Sequence, residues 1–372
     1  MKKVLLLTEK FAGNGHYSAA LALKKTFQLR YPHVQTDIVC VLPMINKTLE
    51  SMLGSLYFNT LRLAPGLWRV CYQHDQEFYK VLNQPLMRLI SHRLKEMINE
   101  YQPNVIICTH VFCLRACAIL KNELRNSFKL GAVVTDFKAN RFWIDRDVDF
   151  YLVAHEETGQ AIKRTTPRSP VYATGIPIDP MFSLNQGEKK EIRAKLRLNP
   201  DRFTLLLMGG GKGIGPLTAM IKSLQTFLDL NDFPLQLLIV TGNNPSLFEK
   251  LKRFTQQHPH FHLYPFVRNM VDLMRASDIL ISKPGGLTSS EALACGLPIL
   301  ICRPIPGQEE NNSRFLITKG AAIREDRPAI VPSVLLPYMA DTLKRQQWQN
   351  IAQQLGKPAA ALEAANIIMG FM

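Results

Sequence analysis

Short apolar runs punctuate the chain, each closed by small or polar residues and followed by a longer stretch with helical spacing. "KVLLLT" (3–8), "TDIVCV" (36–41), "NVIICTH" (104–110), "LGAVVTD" (130–136), "FYLVA" (150–154) and "VYATG" (171–175) form a first series. "GIPIDPMF" and the polar "SLNQGEKKE" then change the composition and place a boundary near 176–190. A second series follows: "FTLLLMGG" (203–210), "LQLLIVTG" (235–242), "FHLYPFV" (261–267), "DILISKPGG" (278–286) and "PILICRP" (298–304). Continuous apolar runs suit strands buried on both faces. Their alternation with helices predicts parallel sheets built from βαβ units. The expected class is therefore α/β, with two Rossmann-like domains facing a cleft. They span 1–178 and 179–357, and a C-terminal helix at about 358–372 is placed to pack back on the first. Ligands of such sheets gather beyond the carboxyl ends of strands, so the informative residues are those just after each run.

The formal net charge of +15 favours anionic partners without choosing among nucleic acid, acidic lipid and phosphorylated small molecules. The basic residues are spread along the chain rather than gathered on one helix, which argues against nucleic acid. No segment approaches the ~18 apolar residues needed to span a bilayer. The first run is cut off by Glu9 and Lys10 and reads as a strand rather than a signal peptide. Seven cysteines (40, 71, 108, 113, 117, 295, 302) form no CxxC pair and no Cys/His cluster. Zinc is not expected, and reduced, buried thiols in the cytoplasm are.

Three segments of the second half carry phosphate or sugar chemistry. In "SKPGGLTSSEALACGLP" (282–298), Pro284-Gly285-Gly286 turns the chain into a helix that opens with Thr288, Ser289 and Ser290 and contains Glu291. Free amides at a helix start make an anion site, and Glu291, one turn in, can accept from two ribose hydroxyls. The same residues also read as an ordinary capped helix. "MGGGKGIG" (208–215) lacks the Ser or Thr after Gly-Lys that a Walker loop needs. Its glycines at 211, 213 and 215 fit the dinucleotide fingerprint poorly, which argues against a nicotinamide oxidoreductase. In "PGQEENN" (306–312), Gln308 and Glu309 offer donors and acceptors suited to sugar hydroxyls, or else complement a helix dipole.

The first half offers "FAGNGHYSAA" (11–20), a glycine turn with His16 at the mouth of a strand. Imidazole titrates near neutrality and suits proton transfer, although a histidine here can equally cap the helix. Asp136 ends another strand and is the rival base. "DRDVD" (145–149) contains D-x-D, which reads as solvated charge rather than a metal site. Residues 45–95 mix aromatic and aliphatic residues with seven Lys/Arg against three acids, the pattern of an amphipathic surface for an anionic leaflet, or of core aromatics.

The set G-x-G-H, "TDF" with a nearby Trp (135–143), "TGIP", "MGGG", "KPGGLTSSEA", "GLPI" and "PGQEEN" resembles glycosyltransferase family 28 over roughly residues 3–325. Within it the chain is similar to the diacylglycerol glycosyltransferases: processive diacylglycerol glucosyltransferases and monogalactosyldiacylglycerol synthases. The resemblance implies a GT-B fold, with the acceptor on the N-terminal domain and a UDP-sugar on the other. It implies that Glu291 holds the ribose, Gly285, Gly286 and Thr288 the diphosphate, and Gly210 and Gly211 close on it. Gln308 and Glu309 would read the hexose, and the backbone at Phe266-Val267 the uracil. Gly13, Gly15 and Trp143 would meet the acceptor, and His16 would be the base, opposite the donor across the cleft.

The implied reaction moves a hexose, glucose first and galactose second, from a UDP-sugar to the 3-hydroxyl of diacylglycerol. Transfer is inverting and gives a β-glycolipid, with no metal and no other cofactor. The implied partners are the UDP-sugar, diacylglycerol and an anionic membrane surface, bound peripherally on the cytoplasmic side, with no nucleic acid. The alternatives are a UDP-N-acetylglucosamine transferase to another lipid acceptor and a UDP-sugar epimerase. A more distant relative that transfers N-acetylglucosamine to a peptidoglycan lipid carries consecutive glutamines where this chain has Gln308-Glu309, which favours an unmodified hexose.

Overall fold

The computed structural model describes residues 2–11, 13–63, 66, 87, 90–124, 127–184, 187–213 and 215–372. The chain divides into two compact units. One comprises Met1–Pro180, Pro306–Asn311 and Ala359–Met372; the other comprises Met181–Ile305 and Asn312–Pro358.

The first unit holds a six-stranded sheet of β1 (Lys3–Thr8), β2 (Gln35–Cys40), β3 (Val105–Cys108), β4 (Lys129–Val133), β5 (Phe150–Leu152) and β6 (Val171–Tyr172). The order is β2-β1-β3-β4-β5-β6, and every neighbour is parallel. Side chains alternate between faces along a strand, and here both faces are apolar. Leu5, Leu7 and Ile106 enter one core cluster, while Val4, Leu6, Val105 and Ile107 enter the other. That double burial is why the runs lack polar alternation. Each fully buried Leu or Ile contributes about 1.5–3 kcal/mol.

Helix Gly15–Arg30 lays Ala20, Leu23 and Phe27 on the second of these faces. Small residues there let another helix approach, and Ala360–Gly370 does so with Ala364, Ala365 and Ile368. Beyond it, Phe371 stacks on Phe150 at 4.0 Å between centroids.

The second unit repeats the plan with β7 (Phe203–Met208), β8 (Leu235–Val240), β9 (Phe261–Tyr264), β10 (Ile279–Ser282), β11 (Ile299–Ile301) and β12 (Ala322–Arg324). Its order is β12-β11-β10-β7-β8-β9, again all parallel. Asp278 pins the lower end of β10 to that of β7 by accepting from the Thr204 amide at 2.8 Å while paired with Arg193 and Lys189.

In each unit the chain starts in mid-sheet, winds one way, then crosses over. The reversals lie between β1 and β3 and between β10 and β7. At such points the loops leave the sheet in opposite directions and open a crevice at the carboxyl ends of the strands.

Candidate active site

The crevice of the first unit holds His16. Gly13, at φ +130°, turns the chain after β1, and its amide bonds back to the Lys10 carbonyl at 3.1 Å. Gly15 then begins the helix, so His16 sits in its first turn. Thr109, just past β3, is locked to β1 by its amide on Leu7 O (3.0 Å) and its hydroxyl on Thr8 Oγ1 (2.8 Å). Its carbonyl is left for His16 Nδ1, 2.8 Å away.

A carbonyl can only accept, so Nδ1 carries the proton and Nε2 the lone pair. Thr135 Oγ1, also 2.8 Å from Nδ1, shares that N–H. Desolvation lowers the His16 pKa from 6.5 to about 4, against the upward pull of the Thr109 carbonyl. The ring is a neutral imidazole at physiological pH, with its basic nitrogen unused by Thr109 and Thr135. Asp136, half-buried, follows Thr135 directly in the loop after β4.

Two expectations for this half are corrected. Trp143 is 1% exposed inside the core, with no surface left to meet an acceptor. The D-x-D run is more than solvated charge. Asp145 is buried and paired with Arg115, and Asp149 is paired with Lys121 and accepts the Leu130 amide at 2.7 Å. Asp147 accepts from Asn122 at 3.0 Å. These carboxylates are engaged in folding the segment. Among the described residues no group of three or more His, Cys, Asp or Glu could hold a metal ion.

The crevice of the second unit lies between the loops after β7 and β10. A Cβ at Gly210 or at Gly285 would meet nothing within 4 Å, so in both loops the backbone borders open space. Gly213 and Gly242 are glycines for another reason. Both have φ +60°, and their added Cβ atoms would lie 2.2 Å from Thr241 O and 2.7 Å from Gly211 O. The loops after β7 and β8 thus interlock backbone against backbone, and Asn243 N bonds to Gly211 O at 2.9 Å.

After β10, Gly285 caps helix Gly286–Ala294, which carries Thr288 and Glu291, both half-buried. Asn312 Nδ2 donates to Pro284 O at 3.1 Å and steadies the turn from behind. Phe266, 51% exposed, and half-buried Val267 follow β9, two strands from β7. The structure therefore brings the loops of Gly210, Gly211, Gly285 and Gly286 to one crevice of one unit. Gln308 and Glu309 open helix Gln308–Thr318, in the short segment grouped with the first unit.

Sequence reasoning passed over two residues. Glu9 is 1% exposed at the end of β1. Its Oε1 accepts the Leu42 amide at 2.9 Å, while its Oε2 has no partner among the described residues. Burial pushes its pKa up to about 8; the Leu42 amide opposes this and Glu50 adds to it. His110 is 4% exposed and packs against His16, with centroids 4.7 Å apart and rings at 88°. Neither carries a local motif; the pairing of β1 with β3 creates both environments.

Of the membrane-facing reading of 45–95, positions 64, 65, 67–86, 88 and 89 lie outside the described residues. In helix Lys47–Leu63, Met52 and Leu56 stand one turn apart and are each 65% exposed. Among the described residues no helix is long and apolar enough to cross a membrane.

Two parallel sheets of this winding have the layout of the GT-B fold. The structure resembles that of Acinetobacter baumannii MurG (TM-score 0.64, 16% identity, all of both chains). It also resembles that of Anabaena HepE in complex with UDP-glucose (TM-score 0.57, 13% identity, all of both chains). Residues 16–178 match the monogalactosyldiacylglycerol (MGDG) synthase family, and 204–361 match the glycosyltransferase family 28 C-terminal domain. A processive diacylglycerol beta-glucosyltransferase of Bacillus cereus is 30% identical over 99% of this chain and 93% of its own. The chain belongs to the diacylglycerol glycosyltransferases of glycosyltransferase family 28, and it is an enzyme.

Proposed function

We propose that this enzyme transfers a hexose, glucose before galactose, from a UDP-sugar to the 3-hydroxyl of diacylglycerol with inversion, giving a β-glycolipid. The observation that carries the reading is the Thr109 carbonyl on His16 Nδ1, which leaves Nε2 as the basic nitrogen. In one displacement the acceptor oxygen bonds to the anomeric carbon, its proton passes to Nε2, and the bond to UDP breaks. Asp136 is the rival base, or the group that charges the imidazole.

The second unit is assigned the donor: Glu291 on the ribose, Gly285, Gly286 and Thr288 on the diphosphate, Gly210 and Gly211 closing over it, and the Phe266-Val267 backbone on the uracil. Charge developing on the diphosphate is met by amides and the helix start, so no metal enters the scheme. Gln308 and Glu309 are assigned the hexose, and Gly13 and Gly15 leave room for the acceptor. The domain roles follow: acceptor and membrane association for 1–178 with the C-terminal helix, donor for 179–357. Peripheral docking on the cytoplasmic face of an anionic membrane is assigned to the first unit, and the exposed Met52 and Leu56 offer apolar side chains for it.

The test is the full chain with labelled UDP-glucose or UDP-galactose and diacylglycerol vesicles, followed by separation of lipids. A labelled glycolipid is expected. Label only in a water-soluble epimer, or transfer only from UDP-N-acetylglucosamine, would overturn the reading.

A further inference from the structure

Beside His16 lies a second imidazole that the proposed chemistry does not use. The Phe112 amide, a donor only, points at His110 Nδ1 from 3.3 Å, so the His110 proton is on Nε2 and its Nδ1 caps helix Val111–Glu123. Phe11 and Phe112, stacked on each other at 5.7 Å, each meet the His110 ring edge-on, at 5.4 and 5.1 Å. The ring is thus enclosed, with His16 packed against it at right angles. Burial holds its pKa well below the ordinary imidazole value, and the neighbouring His16 ring disfavours its protonation further.

We propose that His110 is a positioning residue for His16: its Nδ1 caps the helix while its ring walls the His16 imidazole, keeping water off it and fixing its orientation. Among the side chains, histidine combines an aromatic ring with an acceptor close enough to the backbone to cap a helix. The segment Thr109-His110-Val111-Phe112 then serves the base twice, since Thr109 sets its tautomer and His110 sets its pose. This inference rests on His16 being the base.

The two duties separate by substitution. His110→Asn keeps a capping acceptor and loses the ring; His110→Phe keeps a ring and loses the cap. In the full chain, with UDP-glucose and diacylglycerol vesicles, His110→Asn should lower kcat by roughly 10–100-fold, part of the 10²–10⁴-fold that a positioned base supplies. KM for UDP-glucose should stay unchanged. The acid limb of its pH–rate profile should move up toward the ordinary imidazole range as water reaches His16. His110→Phe should keep kcat within about threefold and leave that limb in place, with a lower Tm from the lost cap. In a double-mutant cycle, His16→Ala with His110→Asn should be no slower than His16→Ala alone.

Additive losses in that cycle, an unmoved acid limb in His110→Asn, or a collapse of His110→Phe would each overturn the inference. His16→Ala with full activity would instead overturn the choice of base. Should His110→Asn not fold, the profile of His110→Phe decides: a wild-type limb supports the role, and a shifted limb refutes it.

Discussion

Glu9→Gln tests the first unit's crevice through its stability. Between the unfolded value near 4.5 and the folded value of about 8, the native state holds a proton that the unfolded chain has released. Stability must therefore fall as pH rises through that window, and level off on either side of it. At pH 7, about 2.5 above the unfolded value, the loss comes to about 3 kcal/mol at ~1.4 kcal/mol per pH unit.

Glutamine is close in shape, and its amide oxygen can still accept the Leu42 N–H. Its NH₂ takes the place of Oε2, which has no partner among the described residues, so an orphaned donor costs about 1–3 kcal/mol at every pH. The level of the variant's stability is therefore uninformative, and its slope decides. Urea unfolding from pH 4.5 to 8, with the first unit followed by hydrogen exchange at the amides of β1 and β3, should show the variant gaining on the wild type. The gain should reach about 3 kcal/mol between pH 4.5 and 7. A wild-type-minus-variant difference that stays constant across that range would refute the buried, protonated carboxyl.

His16→Ala should cut turnover by about 10²–10⁴-fold with UDP affinity unchanged. The wild-type rate should stay flat down to about pH 5 and fall as the ring takes up its proton near 4; Asp136→Asn collapsing while His16→Ala stays active would move the base. Glu291→Ala should weaken UDP binding by about 1.5–3 kcal/mol by calorimetry, and unchanged affinity in a folded variant would remove it from the ribose. Gly242→Ala places a side chain at φ +60° and a Cβ 2.7 Å from Gly211 O. It should lower the second unit's unfolding free energy by at least about 1–2 kcal/mol and weaken UDP binding, and a variant matching wild type in both would refute the interlocked loops.

Eleven of the strands were legible as apolar runs: eight are interior, where a parallel strand must be apolar on both faces, and the edge strands β2, β6 and β9 keep apolar runs of their own. β12 was not: Ala322, Ile323 and Arg324 form an edge strand of three residues that ends in a charge, too short a run to stand out. The glycine loops were legible too, since they follow strands that announce themselves.

What stayed hidden depends on strand order. Nothing between Glu9 and His110 in sequence says that β1 and β3 lie side by side, so Glu9 read only as the end of an apolar run, and "TH" as a strand's tail. Trp143 misled for a related reason. Its nearness to "TDF" in sequence suggested a shared ligand, whereas the short helix Arg141–Trp143 turns it into the core.

The last helix, Ala360–Gly370, belongs to the same unit as the first residue, so the chain leaves that unit near Pro180 and comes home near Ala359. In topological terms the second unit is largely a guest inserted into the first. During synthesis the first sheet waits, with one apolar face short of its final cover, until helix Ala360–Gly370 has left the ribosome. Removing that helix therefore strikes at the N-terminal core. A force applied between the two chain ends loads the first unit first and leaves the second shielded until its host gives way.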